Sequence, residues 1–420
     1  MSLPREQPQG VVTSAPARVA ITAWLADAGL RNLPLEEIVD GFSRRLNDLG
    51  VPVARTFVGM NTLHPMVRAR SLIWDRAVGL NAHFEFGHVD IDAPIIRQSP
   101  FISMVQHGVP ERRYDLTSPM PEQELPVFEE LRAAGMTEWL GRVFPYGELA
   151  PQVGGPGDIE RVGELWLACS ITTDRPGGFS DSDLTLLREV LPILALAAKA
   201  PTMRAILEGL LAAYLGQDPA ERVLLGTVRR GEVQGVEAVL FFTDLRGFTA
   251  LADTLPGREL VTMLDDCFEC MVRPVVARGG EILKFLGDGL LAIFRIEDRP
   301  RAEVCAAALE AAQETLALME GLTARRLTQS RPTPALDVAL HVGRVNYGNV
   351  GADARLDFTA IGPAVNEASR IERLCDVLDR PLLMSRAFAQ AAETSRHELV
   401  SLGRHRLRGV REEAELFGLA

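Results

Sequence analysis

Residues 279–294, GGEILKFLGDGLLAIF, carry the pattern that decides the fold of the second half of the chain. Two apolar runs flank the sequence Gly287-Asp288-Gly289, and an Asp-Gly pair between two such runs is a strong signal for a β-hairpin. The predicted hairpin holds Asp288 at its tip, between glycines that allow a ligand to approach the backbone. Asp and Gly are favoured in any tight turn, so this motif by itself predicts no more than a turn.

A second acidic residue, Asp244, lies at the end of a short apolar run. Residues 238–243, AVLFFT, predict a strand, and residues 245–249, LRGFT, lead from it into a helix. Ligands bind at the carboxyl ends of strands in α/β sheets, and the free N–H groups at a helix start attract anions. A divalent cation can bridge a carboxylate to a phosphate at such a place. The simpler alternative is that Asp244 only caps the following helix.

A third segment, residues 335–370, begins with a predicted strand, reverses through several glycines and ends in a predicted helix. Asn366 and Arg370 are four residues apart on that helix and therefore project from one face. Such a pair is usually solvated surface. Here the strand that contains Thr359 and the helix start at Pro363 direct this face toward the ligand site.

The lysines point to the same region. Of the 44 basic residues only two are Lys, Lys199 and Lys284, and the remaining 42 are Arg. Lys284 lies in the glycine-rich hairpin. A chain that uses arginine almost everywhere but keeps lysine here indicates a site that needs a compact ammonium group instead of a planar guanidinium.

In their order along the chain, these motifs resemble the catalytic domain of class III nucleotidyl cyclases. The resemblance extends from Val236 to the C-terminus and includes FTDLRGFT, GGEILKFLGDG, LHVGRVNYGNVG, FTAIGPAVNEASR and LGRHRLRGVREEAELFGL. It implies a ferredoxin-like domain of the α/β and α+β classes over residues 234–420. It also implies an adenylate cyclase, an enzyme that converts ATP to 3′,5′-cyclic AMP and pyrophosphate.

The resemblance assigns roles to individual residues. Asp244, Asp288 and the carbonyl oxygen of Leu245 match the ligands of two Mg²⁺ or Mn²⁺ ions. Asn366 matches the residue that orients the ribose, and Arg370 matches the one that stabilises the transferring phosphate. The implied substrate-binding positions are Lys284 and Thr359 for the purine, Gly247, Phe248 and Thr249 at the helix start, and Arg408 or Arg411 for the triphosphate.

Two positions depart from the family pattern. Thr359 stands where many eukaryotic members have Asp, and threonine here resembles a bacterial subgroup often linked to bicarbonate responsiveness. The family's triphosphate-binding lysine is replaced by Arg408 or Arg411, and an arginine binds phosphate at least as well. The family pattern leaves open both activation by bicarbonate and the choice between the two arginines.

The resemblance also implies a homodimer with shared sites. In the family the metal-binding aspartates of one protomer face the Lys, Asn and Arg of the other, so two chains related by a two-fold axis form two sites. The ribose 3′-oxygen would attack the α-phosphorus in line, and Arg370 would meet the charge that develops in the transition state. His341 lies within an apolar strand and is expected to be a packed structural residue, since no histidine base is required.

Two alternatives are a second enzyme activity and a protein of a different functional class. A guanylate cyclase is disfavoured because the N1–H and amine donors of guanine require an acceptor, whereas Lys284 is a donor. A catalytically silent nucleotide-binding signalling module would be marked by loss of Asp244, Asp288 or Arg370. All three residues are present.

The first half of the chain predicts an α+β sensor module. Helical patterns cover residues 17–28 and 35–49, strand-like runs cover 53–58, 71–78 and 164–172, and residues 105–125 predict a long loop. Residues 177–200, GGFSDSDLTLLREVLPILALAAKA, resemble the end of a GAF domain, with a helix that reaches about Ala198. We therefore expect a GAF-like regulatory domain over residues 1–200 and a helical connector over residues 201–233.

The signal that this regulatory domain would bind is not identified by the sequence, and a small molecule or a protein remain the two options. Four histidines could be considered as haem ligands: His64, His83, His88 and His107. None has a recognisable ligand context, so the sequence favours a signal other than haem.

Composition narrows the remaining classes. The net charge of −12, with no basic face in either half, argues against a nucleic-acid partner. Five cysteines in apolar stretches are typical of free thiols in a reducing compartment, and Cys267 and Cys270 lie in one amphipathic helix without a second ligand pair. The longest apolar stretch, residues 190–198, is interrupted by Pro192 and is shorter than the ~20 residues of a membrane span. We therefore expect a cytoplasmic protein without a membrane span.

Overall fold

The computed structural model describes residues 15–62, 67, 69–87, 98–118, 125–146, 165–297, 299–392, 399–410 and 412–420. The chain divides into two compact units, Met1–Leu210 and Leu211–Ala420. Each unit has its own buried apolar clusters and is described separately.

The first unit is built on one antiparallel sheet flanked by helices. Its strands are β1 (Arg55–Asn61), β2 (Ala69–Asp75), β3 (Gly79–Phe86), β4 (Glu111–Asp115), β5 (Glu138–Pro145) and β6 (Trp166–Thr173). Its helices are α1 (Ala15–Leu30), α2 (Leu35–Asp48), α3 (Pro100–Gln106), α4 (Pro126–Ala133) and α5 (Asp181–Leu215), the last of which ends in the second unit. Among the described residues the strand order is β3-β2-β1-β6-β5-β4, and the expected α+β architecture is present.

Helix α2 shows why these segments pack as they do. Ile38, Phe42 and Leu46 recur every four residues, form one apolar face and are fully buried against the sheet. Trp74 of β2 packs in the same cluster, and its indole N–H donates to Asp40 Oδ1 at 2.8 Å. The helix is therefore fixed to the sheet by apolar burial and by one directional hydrogen bond.

Helix α5 differs from the sequence-based expectation. Its start is capped by Ser180 and Asp183, since the Ser180 hydroxyl donates to Asp183 Oδ2 at 2.7 Å and the Asp183 N–H donates to Ser180 Oγ at 3.2 Å. We predicted an end near residue 198, but the helix continues through Pro192 and Pro201 to Leu215. Burial of its apolar face in the first core compensates for the backbone hydrogen bonds that the prolines remove.

Within the described residues, α5 is the one helix long and apolar enough to cross a membrane, and 44% of its most apolar window is buried inside the structure. Core helices of soluble proteins meet the same criteria of length and composition. The expectation of a chain without a membrane span stays a prediction.

The predicted loop over residues 105–125 is also wrong in part. It contains α3 at its start and β4, which pairs with β5. β4 is the edge strand of the sheet, and none of its residues is fully buried. An edge strand needs no apolar alternation, so its polar sequence ERRYD gave no strand signal.

The second unit contains the segments that resemble a cyclase domain. Its strands are β7 (Val233–Arg246), β8 (Glu281–Leu286), β9 (Gly289–Arg295), β10 (Ala335–Ala352), β11 (Arg355–Ile361), β12 (Leu382–Ser385), β13 (Leu399–His405) and β14 (Ala414–Leu419). Its helices are α6 (Gln217–Leu224), α7 (Phe248–Ala252), α8 (Gly257–Ala277), α9 (Arg301–Thr328), α10 (Pro363–Glu372), α11 (Leu374–Leu378) and α12 (Arg386–Ala392).

The strand order of this unit is β13-β14-β12-β10-β7-β9-β8 in the described residues, with β11 paired to β10. The succession β7-α8-β8-β9-α9-β10 is a βαββαβ arrangement, and its four strands lie in the order β10-β7-β9-β8 with antiparallel neighbours. This is the ferredoxin-like arrangement. Helices α8 and α9 cover one face of the sheet, and α10 covers the other.

Beyond residue 215 the connector forms a second helix, α6. Gly216, at φ 96°, separates α5 from α6, and α6 begins at Gln217. Asp218 of α6 forms an ion pair with Arg295 of β9 at 2.7 Å, and its other oxygen accepts from the Tyr347 hydroxyl at 2.9 Å. The same hydroxyl lies 2.9 Å from Glu281 Oε2. These four residues anchor the connector helix to the sheet.

We predict that Tyr347→Phe destabilises this unit. Tyr347 is 1% exposed, and loss of its hydroxyl removes its hydrogen bonding to the half-buried carboxylates of Asp218 and Glu281, which should cost about 1–3 kcal/mol of unfolding free energy. Urea unfolding of the full chain measures this cost. The matched control is Tyr214→Phe, whose ring is 78% exposed and whose removal of a hydroxyl should leave the stability unchanged. Equal stability of both variants would show that the Tyr347 hydroxyl does not anchor the connector.

Candidate active site

Asp244 and Asp288 lie side by side where β7 meets the β8–β9 hairpin. The predicted hairpin is confirmed, with Asp288 in the turn between β8 and β9. Thr243 of β7 is paired with Leu290 of β9, so Asp244 is the first β7 residue beyond that pairing. The two carboxyl groups are within hydrogen-bonding reach of each other. Residues 44 positions apart therefore meet because of the strand register.

Gly289 makes this close approach possible. A Cβ atom at position 289 would overlap the carbonyl oxygen of Thr243, so any side chain there would push the two strands apart. The Leu290 N–H donates to Thr243 Oγ1 at 3.1 Å, which ties the start of β9 to β7. The hairpin tip is consequently held against the strand end that carries Asp244.

The site concentrates negative charge. Burial, and after it the neighbouring carboxylates of Asp288 and Asp337, raise the pKa of the Asp244 carboxyl to about 6. Burial likewise raises the pKa of Glu372 to about 7, with Asp244 as the largest charged contributor. Such shifts arise where like charges are held close together without a compensating cation.

The residues present fit a divalent cation. Carboxylate and carbonyl oxygens are the ligands that Mg²⁺ and Mn²⁺ prefer, and the mutual repulsion of Asp244 and Asp288 would be relieved by a cation between them. Over the described ranges, no group of three or more His, Cys, Asp or Glu side chains is arranged to hold a metal. A cation here would therefore depend on the two aspartates together with a backbone oxygen such as that of Leu245.

Asp337 and Glu372 were not identified from the sequence. Asp337 is opposite Asp244 on the neighbouring strand β10, and it is neutralised by Arg246, whose Nη2 lies 2.6 Å from Asp337 Oδ1. Arg373 partly offsets the charge of Asp244 and Glu372. Asp337 is a polar residue inside the apolar run ALDVAL, which was the available signal for it.

The two predicted purine-contacting residues lie on strands β8 and β11, which do not pair with each other. Lys284 of β8 places its Nζ 2.5 Å from Asp357 Oδ2 of β11. Thr359 is two residues further along β11, is 5% exposed, and lies on the same face of that strand as Asp357. The structure therefore brings Lys284 to the strand that carries Thr359, and it adds Asp357 as a residue that the sequence analysis missed.

Asn366 and Arg370 lie on α10 as predicted. Asn366 is exposed and Arg370 is partly exposed. A Cβ atom added to Gly409 would be 3.6 Å from Arg370 Nη2, so the Arg370 guanidinium lies beside the turn that contains Arg408. Arg408 is exposed, and Arg411 lies outside the described residues.

The helix that follows Asp244 is short. Gly247, at φ 79°, precedes α7, which has five residues and contains Phe248 and Thr249. Phe248 packs against the second-unit core, whereas Gly247 and Thr249 are exposed next to the aspartates. Only Gly247 and Thr249 thus remain open to solvent near the carboxylates.

Arg370 and the aspartates face different sides of α10. Glu372 is close to Asp244, and Arg370 precedes Glu372 by two residues, which is a rotation of about 200° around the helix. Across the described residues no hydrogen bond or ion pair joins Asp244 or Asp288 to Lys284 or Arg370. Within one chain the aspartates are therefore not paired with Lys284 or Arg370.

The remaining candidate residues are histidines and cysteines outside the aspartate site. His341 is 7% exposed, and burial lowers its pKa to about 4, so it is neutral and packed as expected. All five cysteines are free, and burial raises the pKa of Cys267 and Cys270, which disfavours the thiolates that a metal or redox site needs. His83 and His107 are exposed, whereas His64 and His88 lie outside the described residues.

We predict that divalent cations stabilise the protein through Asp244. Its raised pKa means that the folded chain binds more protons than the unfolded chain between about pH 4 and pH 6, so stability falls as the pH rises through that window. In a chelator at neutral pH, Asp244→Asn should therefore raise Tm above that of the wild type. Mg²⁺ or Mn²⁺ should raise the Tm of the wild type but not of the variant.

Calorimetry with and without each metal measures both effects. Asp253→Asn is the control, because Asp253 follows α7 in the same unit but contributes to neither raised pKa. An equal metal-dependent rise in Tm for wild type and Asp244→Asn would contradict a cation site at Asp244.

Comparison with known proteins finds a match to a family model. Residues 232–420 match the family model described as the adenylate and guanylate cyclase catalytic domain. The match includes both aspartates, the hairpin and α10.

Curated relatives match over less than half of the chain. The adenylate cyclase of Anabaena cylindrica is 32% identical over 148 residues, which are 33% of this chain and 28% of that protein. The terminal-differentiation-specific adenylate cyclase of Dictyostelium discoideum is 29% identical over 162 residues, 38% of this chain and 7% of that protein. An uncharacterized protein of Mycobacterium tuberculosis is 34% identical over 193 residues, 45% of this chain and 32% of that protein. The chain thus spans about a third or less of the length of these relatives.

Solved structures also resemble part of the chain. The adenylyl cyclase CyaB from P. aeruginosa has 25% identity and a TM-score of 0.42, and it covers 45% of this chain and 96% of its own. A bacterial light-regulated adenylyl cyclase has 20% identity and a TM-score of 0.47, covering 61% of this chain and 83% of its own. The guanylyl cyclase Cya2 has 21% identity and a TM-score of 0.39, covering 45% and 95%.

Proposed function

We propose that the second half of the chain, which is an adenylate/guanylate cyclase catalytic domain, converts ATP to 3′,5′-cyclic AMP and pyrophosphate. The observation that carries this proposal is the meeting of Asp244 and Asp288 at the β7–β9 junction, in a domain that retains Lys284, Asn366 and Arg370. A silent nucleotide-binding module would have lost part of this set.

Asp244 and Asp288, with the Leu245 carbonyl, would hold the two divalent ions that the family uses. When bound, such ions lower the pKa of the ribose 3′-hydroxyl and neutralise phosphate charge. The protein's own groups do the rest. Asn366 orients the ribose so that its 3′-oxygen is in line with the α-phosphorus, and Arg370 stabilises the negative charge that develops there.

The triphosphate requires further positive groups. Arg408, next to the Arg370 guanidinium, is suited to bind its outer phosphates, and Arg411 is the other candidate. Gly247 and Thr249 lie next to Asp244, where exposed backbone N–H groups can face a phosphate.

Lys284 and Thr359 support ATP as the substrate. The Lys284 ammonium can donate to adenine N1, while the N1–H and amine of guanine call for acceptors. Guanylate cyclase activity is the alternative that this pairing disfavours. Activation by bicarbonate, suggested by threonine at position 359, also stays a proposal.

A homodimer would complete the site. Because Arg370 and the aspartates face different sides of α10, one chain cannot direct both at one nucleotide without rearrangement. A two-fold axis that sets the aspartates of one protomer opposite Lys284, Asn366 and Arg370 of its partner produces two complete sites. Exposed apolar side chains at the end of β8, Phe285 and Leu286, are available for burial in such an interface.

The first half of the chain is proposed to regulate this activity. Its antiparallel sheet flanked by helices is compatible with a GAF-like domain, and α5 and α6 connect it in sequence to β7. A small molecule or a protein would supply the signal, and a cytoplasmic location suits an enzyme that consumes ATP. No nucleic-acid partner is proposed for a chain of net charge −12.

Complementation between two inactive variants tests the proposed enzyme and its shared sites. Asp244→Ala and Arg370→Ala should each be inactive as homodimers, whereas each mixed dimer contains one intact site. With random assortment half of the dimers are mixed, so about a quarter of wild-type cyclase activity should return on mixing.

Chain exchange is verified in the same samples by native mass spectrometry of differently tagged chains. The control mixes Asp244→Ala with Asp288→Ala, which alter the same half-site and should not complement. If exchange is complete and the first mixture stays as inactive as its components, the shared site is wrong.

A further inference from the structure

The two strands that carry the proposed purine-contacting residues are joined by one ion pair. Lys284 Nζ of β8 lies 2.5 Å from Asp357 Oδ2 of β11. The lysine side chain is 31% exposed and the aspartate side chain is 55% exposed. Within the described part of the chain, each group has the other as its single ion-pair partner.

Asp357 is fixed relative to Thr359 by the β10–β11 ladder. Thr359 is opposite Gly348 and Asp357 is opposite Val350, so the two side chains leave β11 on the same face, one step apart. Thr359 is buried and neutral. Asp357 is therefore the residue on this face of β11 that can hold an ammonium group by charge.

A lysine needs such a partner because its side chain is flexible. Four rotatable bonds separate the ammonium from the backbone, and placing it in one position costs conformational entropy. The ammonium could donate to adenine N1, but it could also donate to guanine O6, since both atoms are acceptors. Its donor character disfavours guanine only where the ammonium is held facing N1, so the preference for adenine depends on its position.

We propose that Asp357 is a positioning residue that holds Lys284 for adenine and thereby sets the preference for ATP over GTP. This inference rests on the proposed function. A carboxylate at position 357 supplies the negative charge that threonine at position 359 lacks, and it restrains the Lys284 ammonium between β8 and β11. Asp357 acts through Lys284 and needs no contact with the nucleotide.

The test uses the full chain and steady-state kinetics with ATP and GTP. Asp357→Asn keeps the shape and removes the charge, so KM for ATP should rise about fivefold, kcat should change less than about twofold, and KM for GTP should hardly change. Asp357→Glu should recover most of the ATP preference. A purely structural role would instead lower kcat for both nucleotides and would not be rescued by Glu.

Asp353→Asn is the matched control. Asp353 lies on the same β10–β11 hairpin, is 92% exposed, and forms an ion pair with Arg230 at 2.9 Å. Its neutralisation alters the charge of the hairpin equally but leaves Lys284 untouched, so the ratio of ATP to GTP use should stay at the wild-type value.

The same substitutions are repeated in a Lys284→Met background. If Asp357 acts through Lys284, Asp357→Asn should have no further effect on nucleotide preference there. An equal loss of preference with and without Lys284 would overturn the positioning role, and so would an unchanged preference in Asp357→Asn alone.

Binding separates this inference from the proposed function. The 3′-deoxy analogues of ATP and GTP cannot cyclise, and calorimetry gives their affinities for each variant. If the wild type makes no cyclic nucleotide, the proposed function fails, and the effect of Asp357→Asn on the ratio of the two affinities still decides the role of Asp357. If the wild type binds neither analogue, both proposals are overturned.

Discussion

The contact between β7 and β9 at Gly289 is the constraint on which the candidate site depends. With no side chain at position 289, the hairpin tip packs directly against the Thr243 backbone, and Asp288 is brought to Asp244. The extensive pairing of β7 with β9 and β10 holds two like charges together that would otherwise separate. The raised pKa of Asp244 is the electrostatic consequence. A fold that stabilises this arrangement at neutral pH is prepared for a cation.

Helix α10 places Glu372 and Arg370 in different surroundings. It lies on the sheet face opposite α8 and α9, with Glu372 near the aspartates and Arg370 beside the turn at Gly409. Lys284 is paired with Asp357. In the proposed enzyme the groups needed for one nucleotide would form two half-sites in one chain, and a two-fold assembly would join them. The connector helix α6 is anchored to the same sheet through Tyr347.

The sequence predicted the parts of this site that depend on short stretches. The turn at Asp288, the strand before Asp244, and the helix that carries Asn366 and Arg370 all follow from local patterns and are present. The contributions of Glu372 and Asp357 depend on helix placement and strand register between distant segments, so no local pattern could identify them; Asp337 had only the signal of a polar residue inside an apolar run, and its partner also depends on register. Helix α5 continues through its two prolines because burial of its apolar face outweighs their low helix propensity. The edge strand β4 has a polar sequence without apolar alternation, so the sequence did not predict it. The GAF-like identity of the first half and the role of Arg411 stay predictions.

The central claim is that cyclase activity arises only when two copies of this chain combine their half-sites. The most direct measurement is the specific rate of cyclic AMP and pyrophosphate formation from ATP and Mn²⁺, followed as the purified chain is diluted through its dimer dissociation range. The account predicts equal amounts of both products and a rate per chain that falls in proportion to the fraction of dimer, as sedimentation reports it. A rate per chain that stays constant in the monomeric range would contradict it.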